Sequence, residues 1–470
     1  MHLDDYSILV DPAYTNSSGA LDLLHLDRVR PLTNLTLWAN YQLHGDAPFG
    51  FHLVNLLLHL LAVWFARDAL SRLLPPNAAL LAVTVFALHP LQTEPVAYIY
   101  ARSTLLCGLF SWAAIASWTR GLRWLAVLST ALALLSKEEA VALPVFFAML
   151  HWSVSRNHRE WRQIAVMFCL ALATGLRGLL ATSQIKGSGA GLDVAISPLD
   201  YGLSQGYVIL RYLRLLIFPI GLNFDPDLVV RPWLAAVCWC AILGVGWNLL
   251  KTKPKAGFWY AAALVFLAPT SSFLPIADLA ADRRMYLAGA CFAACAALLL
   301  PKLTATHVLA LGVVLGGLSF GRALVFGTEE SLWRETVLRS PGKVRPRIQL
   351  ARAVPPAEAI EVLAGLPNDA RVAAERGRAY LELQRPAEAL REFGSALAAA
   401  PGDPRALTNR GTALAALQQI SAAQQDFSRA LASDPCFYPA LANLRQLGLP
   451  LPTATGCRFT SQQRNALGLN

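Results

Sequence analysis

The sequence contains little charge for its length. Charged residues make up only 15% of the 470 positions, hydrophobic residues make up 55%, and the mean hydropathy is +0.43. Soluble chains rarely combine these values, so the composition excludes an ordinary soluble protein and indicates a membrane protein. The formal net charge of +10 does not indicate nucleic-acid binding, because many basic residues lie in short loops between apolar segments, where they orient a membrane protein.

The sequence also lacks the cysteine spacings of a metal site. Its eight cysteines form no Cys-x-x-Cys pair and no zinc spacing, so no metal is expected. No cleavable signal peptide is recognisable, and the chain is expected to begin on a polar loop. Cys436 and Cys457 lie in the polar C-terminal part and are expected to pair if that part faces an oxidising compartment. The other six lie in apolar segments and are expected to be small core residues: Cys107, Cys169, Cys238, Cys240, Cys291 and Cys295.

Long apolar runs predict a transmembrane bundle of about ten spans over residues 49–325. Clusters of Lys and Arg between the spans mark their side as cytoplasmic. The segment 203–222 contains two arginines, and a crossing there would reverse the loop charges, so it is predicted to be a re-entrant or interfacial helix. The predicted spans are 49–66, 78–97, 104–119, 122–136, 140–154, 164–181, 233–250, 257–275, 285–300 and 304–323.

An even number of spans places both ends of the chain on the same side of the membrane, and the loop charges make this the outer side. Residues 1–48 would form the first outer loop, 326–344 a linker, 345–450 a soluble helical domain and 451–470 a tail. Ala, Leu, Trp and Arg usage is compatible with a bacterial chain, so we expect a bacterial inner-membrane protein with these outer parts in the periplasm.

The C-terminal domain repeats every 34 residues, in two clear copies at about 370–403 and 404–437. This spacing is typical of tetratricopeptide repeats (TPR), in which small residues let two helices approach, an aromatic fills the gap and a proline ends the second helix. A degenerate copy over 345–368 and a capping helix over 438–447 complete the array. It predicts a surface for an acceptor or partner protein, although a spacer that binds nothing specific is the alternative. The repeat-defining residues are Gly377, Tyr380, Ala389, Phe393 and Pro401, then Gly411, Ala423, Phe427 and Pro435.

Two adjacent acids near the N-terminus, Asp4 and Asp5, are candidate catalytic residues. A carboxylate at a bilayer surface can accept the proton of a hydroxyl that attacks a lipid-carried sugar. Paired acids on loops are, however, commonly only solvated.

Further polar residues interrupt apolar segments on the same predicted outer face, where the bilayer makes them costly. Guanidinium groups suit phosphate oxygens, so this set is a candidate site for the phosphate of a donor and its substrate. Singly, each basic residue could instead anchor a helix at the interface, His89 could cap a helix, and Lys137 and Glu138 could form a local salt bridge. The candidates are Arg30, His89, Glu94, Arg102, Lys137, Glu138, Arg214, Arg283, Arg284 and Tyr286.

At these residues the chain resembles the membrane-plus-TPR protein O-mannosyltransferases of the endoplasmic reticulum and their bacterial relatives. The matching blocks are Arg30-Pro31-Leu32-Thr33, Asn40-Tyr41, Pro48-Phe49-Gly50-Phe51-His52-Leu53-Val54-Asn55-Leu56-Leu57-Leu58-His59, Ala87-Leu88-His89-Pro90, Thr93-Glu94-Pro95-Val96, Ala101-Arg102, Leu135-Ser136-Lys137-Glu138, Tyr212-Leu213-Arg214-Leu215-Leu216, Asp282-Arg283 and Tyr286-Leu287.

The resemblance implies an all-α protein: a polytopic bundle with the C-type glycosyltransferase fold, followed by the TPR α-solenoid. It also implies a polyprenyl-phosphate sugar as donor substrate, no metal or other cofactor, and inverting transfer of mannose or a similar hexose to Ser or Thr of secreted or periplasmic proteins. Asp4 and Asp5 would supply the general base.

The chain departs from the family pattern at several points. The family has a membrane helix before the acidic pair, and it often has an acid where this chain has Ser103-Thr104 and a glutamate where this chain has Asp282. Two alternatives remain open: a membrane-anchored TPR scaffold for envelope or pilus assembly without catalysis, and a glycosyltransferase acting on a lipid or a cell-wall glycan.

Overall fold

The computed structural model describes residues 12–15, 29–154, 160–184, 196–300, 304–367, 369–452 and 457–469. The candidate bases Asp4 and Asp5 lie outside these ranges. Over the described residues the regular structure is helical without a strand, which confirms the all-α prediction. The chain divides into two compact units, which meet in sequence between Gly327 and Thr328. We call them the bundle unit and the repeat unit; the short helix α1, Pro12–Thr15, groups with the repeat unit.

The bundle unit consists of apolar helices, many of which begin with a proline. Proline lacks an N–H group, and the first turn of a helix needs none, so proline favours helix starts. The helices are α2 Pro31–His44, α3 Pro48–Leu73, α4 Pro76–Leu88, α5 Thr93–Ala97, α6 Arg102–Thr119, α7 Arg123–Ser136, α8 Leu143–Val154, α9 Trp161–Gln184, α10 Pro198–Ile217, α11 Pro232–Thr252, α12 Pro254–Leu267, α13 Met285–Leu299 and α14 Ala305–Val325.

Four helical segments among the described residues are long and apolar enough to cross a membrane: α3, the stretch Ile99–Thr119 that includes α6, α11 and α14. Their burial differs. The apolar window of Ile99–Thr119 is 89% buried, whereas those of α11 and α14 are 17% buried. Helix α6 is therefore central to the unit, and α11 and α14 present apolar side chains outward, as lipid-facing helices do.

Helix α4 ends inside the predicted span 78–97. Pro90 disfavours helical backbone at the residue before it, and His89 is extended, with φ −74° and ψ 138°. A short 3₁₀ turn and helix α5 follow, so the chain from His89 to Ala101 forms an irregular polar segment at the entrance to α6.

The repeat unit is a series of antiparallel helix pairs. Its helices are α15 Glu329–Arg339, α16 Val344–Ala353, α17 Pro356–Leu363, α18 Ala370–Glu382, α19 Pro386–Ala399, α20 Pro404–Ala416, α21 Ile420–Ser433, α22 Tyr438–Gln446 and α23 Ser461–Leu467.

The repeat-defining residues lie where two helices of a pair meet. A Cβ atom at Gly377 would lie 2.6 Å from the ring of Phe393, and one at Gly411 would lie 2.6 Å from the ring of Phe427. Ala389 and Ala423 are fully buried, and Tyr380 is half-buried. Pro401 and Pro435 are exposed and follow the ends of α19 and α21.

The expected pairing of Cys436 with Cys457 is confirmed by a disulfide bond between them. It joins the turn after α21 to the segment before α23, where Phe459 is buried. The prediction for the other cysteines is wrong in part. Cys169 and Cys240 are exposed, because they lie on outward faces of α9 and α11, whereas Cys107, Cys238, Cys291 and Cys295 are buried.

Candidate functional site

Three ion pairs form what we call the polar cluster, and two of them join segments far apart in sequence. Two of its acids lie in the 3₁₀ turn Glu138–Ala142 between α7 and α8, and the third lies on α5. The pairs are Arg30 Nη2 with Glu138 Oε2 at 3.0 Å, Lys137 Nζ with Glu139 Oε1 at 2.6 Å, and Arg283 Nη1 with Glu94 Oε1 at 2.7 Å.

Arg30 and Arg283 lie close enough to Lys137 to affect its pKa. Burial lowers the pKa of the Lys137 ammonium, the Glu139 carboxylate opposes this, and the positive charges of Arg30 and Arg283 lower the pKa further. The structure therefore brings together Arg30, Lys137 and Arg283, which were predicted to share a site.

Arg30 holds the start of α2 against the turn after α7. Its backbone is left-handed, with φ 58° and ψ 55°, which is unusual for a residue with a side chain that precedes a proline. Its guanidinium donates to both Glu138 oxygens, and the hydroxyl of Thr33 donates to the carbonyl of Ser136 at 2.9 Å. Burial alone would raise the pKa of the Glu138 carboxyl, but the charge and hydrogen bonds of Arg30, together with the charge of Lys137, lower the pKa overall.

Arg30 and Arg283 retain N–H donors that are not used within the described part of the chain. Arg30 pairs through Nε and Nη2, and Arg283 pairs through Nη1 and lies with Nη2 3.7 Å from Asp278. The side chains of Arg30 and Arg283 are 33% and 27% exposed. Their carboxylate partners fix the guanidinium planes, so the remaining N–H groups are positioned to bind oxygens of an anion.

Arg102 is a structural residue of the bundle. It is fully buried and donates to the side-chain oxygens of Asn55 and Asn40, at 2.8 and 2.7 Å. It also donates to the carbonyls of Thr36 and Phe51, both at 3.1 Å. These bonds connect α2, α3 and α6.

Arg284 and Tyr286 also make internal contacts. Arg284 donates to the carbonyls of Asp278 and Leu279, at 2.6 and 3.2 Å, and so holds the loop that leads into α13. Tyr286 is buried, and its hydroxyl bonds to Nδ1 of His59 at 2.8 Å. His59 Nε2 donates to the carbonyl of Ala87, so Nδ1 accepts the tyrosine proton.

His89 acts as a cap, the alternative that its position before Pro90 left open. Its Nδ1 accepts from the backbone N–H of Leu91 at 3.1 Å, so Nε2 carries the proton and donates to the carbonyl of Leu216 at 3.1 Å. Helix α4 ends before His89, and burial lowers the pKa of its imidazole to about 4.

Two arginines of α10 have different surroundings. Arg214, the predicted site residue, is exposed and donates to the carbonyl of Ile220 at 3.2 Å. Arg211 is nearly buried and pairs with Asp282 at 2.7 Å, one residue before Arg283. Asp282 also accepts from the backbone N–H of Asn223 at 3.3 Å.

Three features were not among the site residues predicted from the sequence: Glu139, the pair Arg211–Asp282, and Thr104, whose hydroxyl accepts from Lys137 Nζ at 2.9 Å. Glu139 directly follows Lys137 and Glu138, so its position in the same polar run was a signal for including it in the candidate site. Pairing across the fold has no such local signal. In the part of the chain that the structure describes, no group of three or more His, Cys, Asp or Glu side chains is arranged to hold a metal ion.

No protein-family model matches the sequence. The chain is 28% identical over 301 residues to a protein O-mannosyl-transferase of Caenorhabditis elegans, a match that covers 58% of this chain. It is 30% identical over 254 residues to the protein O-mannosyl-transferase Tmtc2 of Drosophila melanogaster, covering 47% of this chain. It is 44% identical over 96 residues, 17% of this chain, to the human protein O-mannosyl-transferase TMTC4.

The matches span only part of these relatives: 42% of the worm protein, 27% of the fly protein and 13% of the human protein. The relatives support the family resemblance seen in the motifs around the polar cluster. This chain is a membrane protein by its apolar helices, and it is similar to proteins named as protein O-mannosyl-transferases.

Proposed function

We propose that the chain is an integral membrane protein O-glycosyltransferase. It moves mannose or a similar hexose from a polyprenyl-phosphate donor to Ser or Thr hydroxyls of secreted or periplasmic proteins. The observation that carries this proposal is the polar cluster. It contains two arginines that are about a third exposed and keep unused N–H donors, beside a buried lysine, in a bundle of apolar helices. The names of the relatives support the reaction class.

Arg30 and Arg283 bind the phosphate of the donor. Glu138 and Glu94 orient the two guanidinium groups, so their remaining N–H groups meet the phosphate oxygens without reorganisation. The charge on the phosphate grows as it leaves, and donors fixed in advance stabilise that charge more in the transition state than in the ground state.

The transfer is a direct displacement at the anomeric carbon. The acceptor hydroxyl oxygen forms a bond to that carbon, the bond from the carbon to the phosphate oxygen breaks, and the lipid phosphate leaves with the electron pair. Asp4 or Asp5 takes the proton of the hydroxyl as general base. The attack is from the face opposite the phosphate, so the configuration inverts.

The repeat unit recruits or orients the acceptor protein on the outer side of the membrane. Disulfide bonds persist in oxidising compartments, so the bond between Cys436 and Cys457 supports a periplasmic repeat unit if the chain is bacterial. The exposed apolar helices supply the contact with lipid.

Intact-mass analysis of secreted and envelope proteins tests this function in the native host. Wild type is compared with a deletion strain, with Asp4→Asn/Asp5→Asn, and with Asp68→Asn as control. Asp68 forms an ion pair with Arg120 outside the polar cluster. We expect hexose-sized mass increments to disappear from the same proteins in the deletion and the double variant, and to persist in the control.

Two other outcomes would contradict the proposal. If the double variant matches wild type while the deletion strain differs in envelope assembly, the chain is a scaffold. If glycolipids extracted from the same strains lose hexose while proteins keep theirs, the acceptor is a lipid or glycan.

A further inference from the structure

A small recess shares Glu139 with the polar cluster. Its cavity volume is about 10 Å³, the size of one water molecule or one hydroxyl group. Thr104, Arg284 and Glu139 supply polar groups to its wall, and Phe266 and Tyr286 supply aromatic rings. This volume admits one hydroxyl-sized group and no larger part of a ligand.

Glu139 has one carboxylate oxygen engaged and one available. Oε1 pairs with Lys137 Nζ at 2.6 Å, and within the described part of the chain Oε2 has no hydrogen-bond partner. Lys137 Nζ also donates to Thr104 Oγ1 at 2.9 Å, which leaves the ammonium a third N–H and leaves the threonine its own hydroxyl proton. The side chains of Lys137 and Glu139 are only 8% and 16% exposed, so the three groups are held in place.

The charges around the recess select among ligands. The Glu139 carboxylate repels a phosphate, and Lys137 and Arg284 repel a cation. A hydroxyl group of a neutral ligand fits, because a hydroxyl donates to a carboxylate and accepts from an ammonium.

We infer that Glu139 is a specificity-determining residue that accepts a hydrogen bond, through Oε2, from one hydroxyl of the donor sugar. This rests on the proposed function, since it assigns one hydroxyl of the sugar to the recess and the phosphate to Arg30 and Arg283. A donor that lacks the bonded hydroxyl leaves Oε2 unpaired on a side chain that is only 16% exposed, and sites built to bind a hydroxyl reject such analogues strongly.

The test uses the purified full chain in detergent with polyprenyl-phosphate mannose and its monodeoxy analogues. Both kcat/KM for transfer to an acceptor peptide and the donor Kd are measured for wild type, Glu139→Gln, Thr104→Val and the control Asp68→Asn. For wild type and control, we expect removal of one particular hydroxyl to lower kcat/KM roughly ten- to a hundred-fold more than removal of any other. This is the range for hydrogen bonds to charged groups. In Glu139→Gln, removal of that hydroxyl should lower kcat/KM no more than removal of the other hydroxyls does. Thr104→Val, which keeps the charges, should reduce it partly.

Each outcome decides a separate question. If wild type transfers sugar and Glu139→Gln keeps the same deoxy profile, the inference is overturned and the proposed function stands. If no donor is turned over but donors bind, the proposed function falls, and the same comparison made with Kd decides the role of Glu139. If donors neither react nor bind, both fall. Should Glu139→Gln fail to fold, the deoxy profile of Thr104→Val decides: an unchanged profile overturns the inference.

Discussion

The bundle unit and the repeat unit are each stabilised internally by a different kind of contact. In the bundle unit, polar side chains bond across long distances in sequence: Arg30 to Glu138 over 108 residues and Arg283 to Glu94 over 189. In the repeat unit the defining contacts are local and recur, such as Gly377 against Phe393 and Gly411 against Phe427. A change in the bundle should therefore affect several helices together, and a change in a repeat should affect mainly its neighbours.

Within the bundle unit, arginines that stabilise the fold differ from arginines that can bind a ligand. Arg102 and Arg284 are buried and donate to carbonyl and amide oxygens of the fold, whereas Arg30 and Arg283 are about a third exposed and keep donors for a ligand. A polar residue in an apolar helix is thus a poor guide to a site until its hydrogen-bond partners are known.

Replacing Arg102 should have the largest effect on stability. Arg102→Leu removes a buried guanidinium and leaves four oxygens on α2 and α3 without their donor. We expect a loss of about 3–5 kcal/mol, because a hydrogen bond to a charged group contributes roughly 1.5–3 kcal/mol and several are lost together. Thermal unfolding in detergent measures it, with the exposed Arg120→Leu as control. Equal melting temperatures for the two variants would contradict the structural role of Arg102.

Opening the disulfide should affect only the end of the repeat unit. The bond closes a loop with a sequence separation of 21, so Cys436→Ser/Cys457→Ser should lose about 3 kcal/mol. Hydrogen exchange should show faster exchange in α22 and α23 and unchanged protection in α6. Faster exchange throughout the bundle would remove the contrast between the units.

Acid should destabilise the bundle through His89. The folded pKa of about 4 lies below the unfolded value of about 6.5, so the unfolded chain binds more protons between these values. Stability is therefore fully present above pH 6.5 and falls as the pH falls towards 4, by at most about 3 kcal/mol. His89→Gln should be less stable at pH 7 and should lose less stability on acidification. A wild-type stability that is flat from pH 7 to 4.5 would be incompatible with a buried neutral imidazole.

The smallest effects should come from two glycines in one pair of helices. Gly377→Ala places a Cβ 2.6 Å from the Phe393 ring and should cost about 1–3 kcal/mol. Gly394→Ala, on α19, meets nothing within 4 Å and should stabilise the unit by roughly 0.5–1 kcal/mol. Equilibrium unfolding of the two variants checks the difference in sign. Equal effects would mean that close helix approach at Gly377 is unimportant.

The local features of the fold were predictable from the sequence. The repeat period was readable because Gly377 and Phe393 meet within one helical hairpin, and the apolar runs predicted helices because a spanning segment needs a continuous apolar stretch. His89 shows where prediction from the sequence ends. Its position before Pro90 suggested a cap, but its acceptor, the carbonyl of Leu216, lies 127 residues away and has no sequence signature.

The composition of the polar cluster was harder to predict. Lys137 and Glu138 were recognisable because they interrupt an apolar sequence. Nothing local distinguishes Arg283, which keeps donors for a ligand, from Arg284, which donates to backbone carbonyls. Arg211 and Arg214 are one helical turn apart, and only the fold shows that Arg211 reaches Asp282. Long-range pairing decides each of these roles, and it leaves no periodic trace in a single sequence.

The central claim is that the polar cluster binds the phosphate of a lipid-linked donor. The most direct test is the binding of polyprenyl phosphate, compared with polyprenol, to the purified full chain of wild type, Arg283→Gln and the control Arg120→Gln, another ion-paired arginine. We predict that Arg283→Gln weakens phosphate binding roughly ten- to a hundred-fold, while polyprenol binding and the control are unchanged. If Arg283→Gln binds polyprenyl phosphate as wild type does, the account is contradicted.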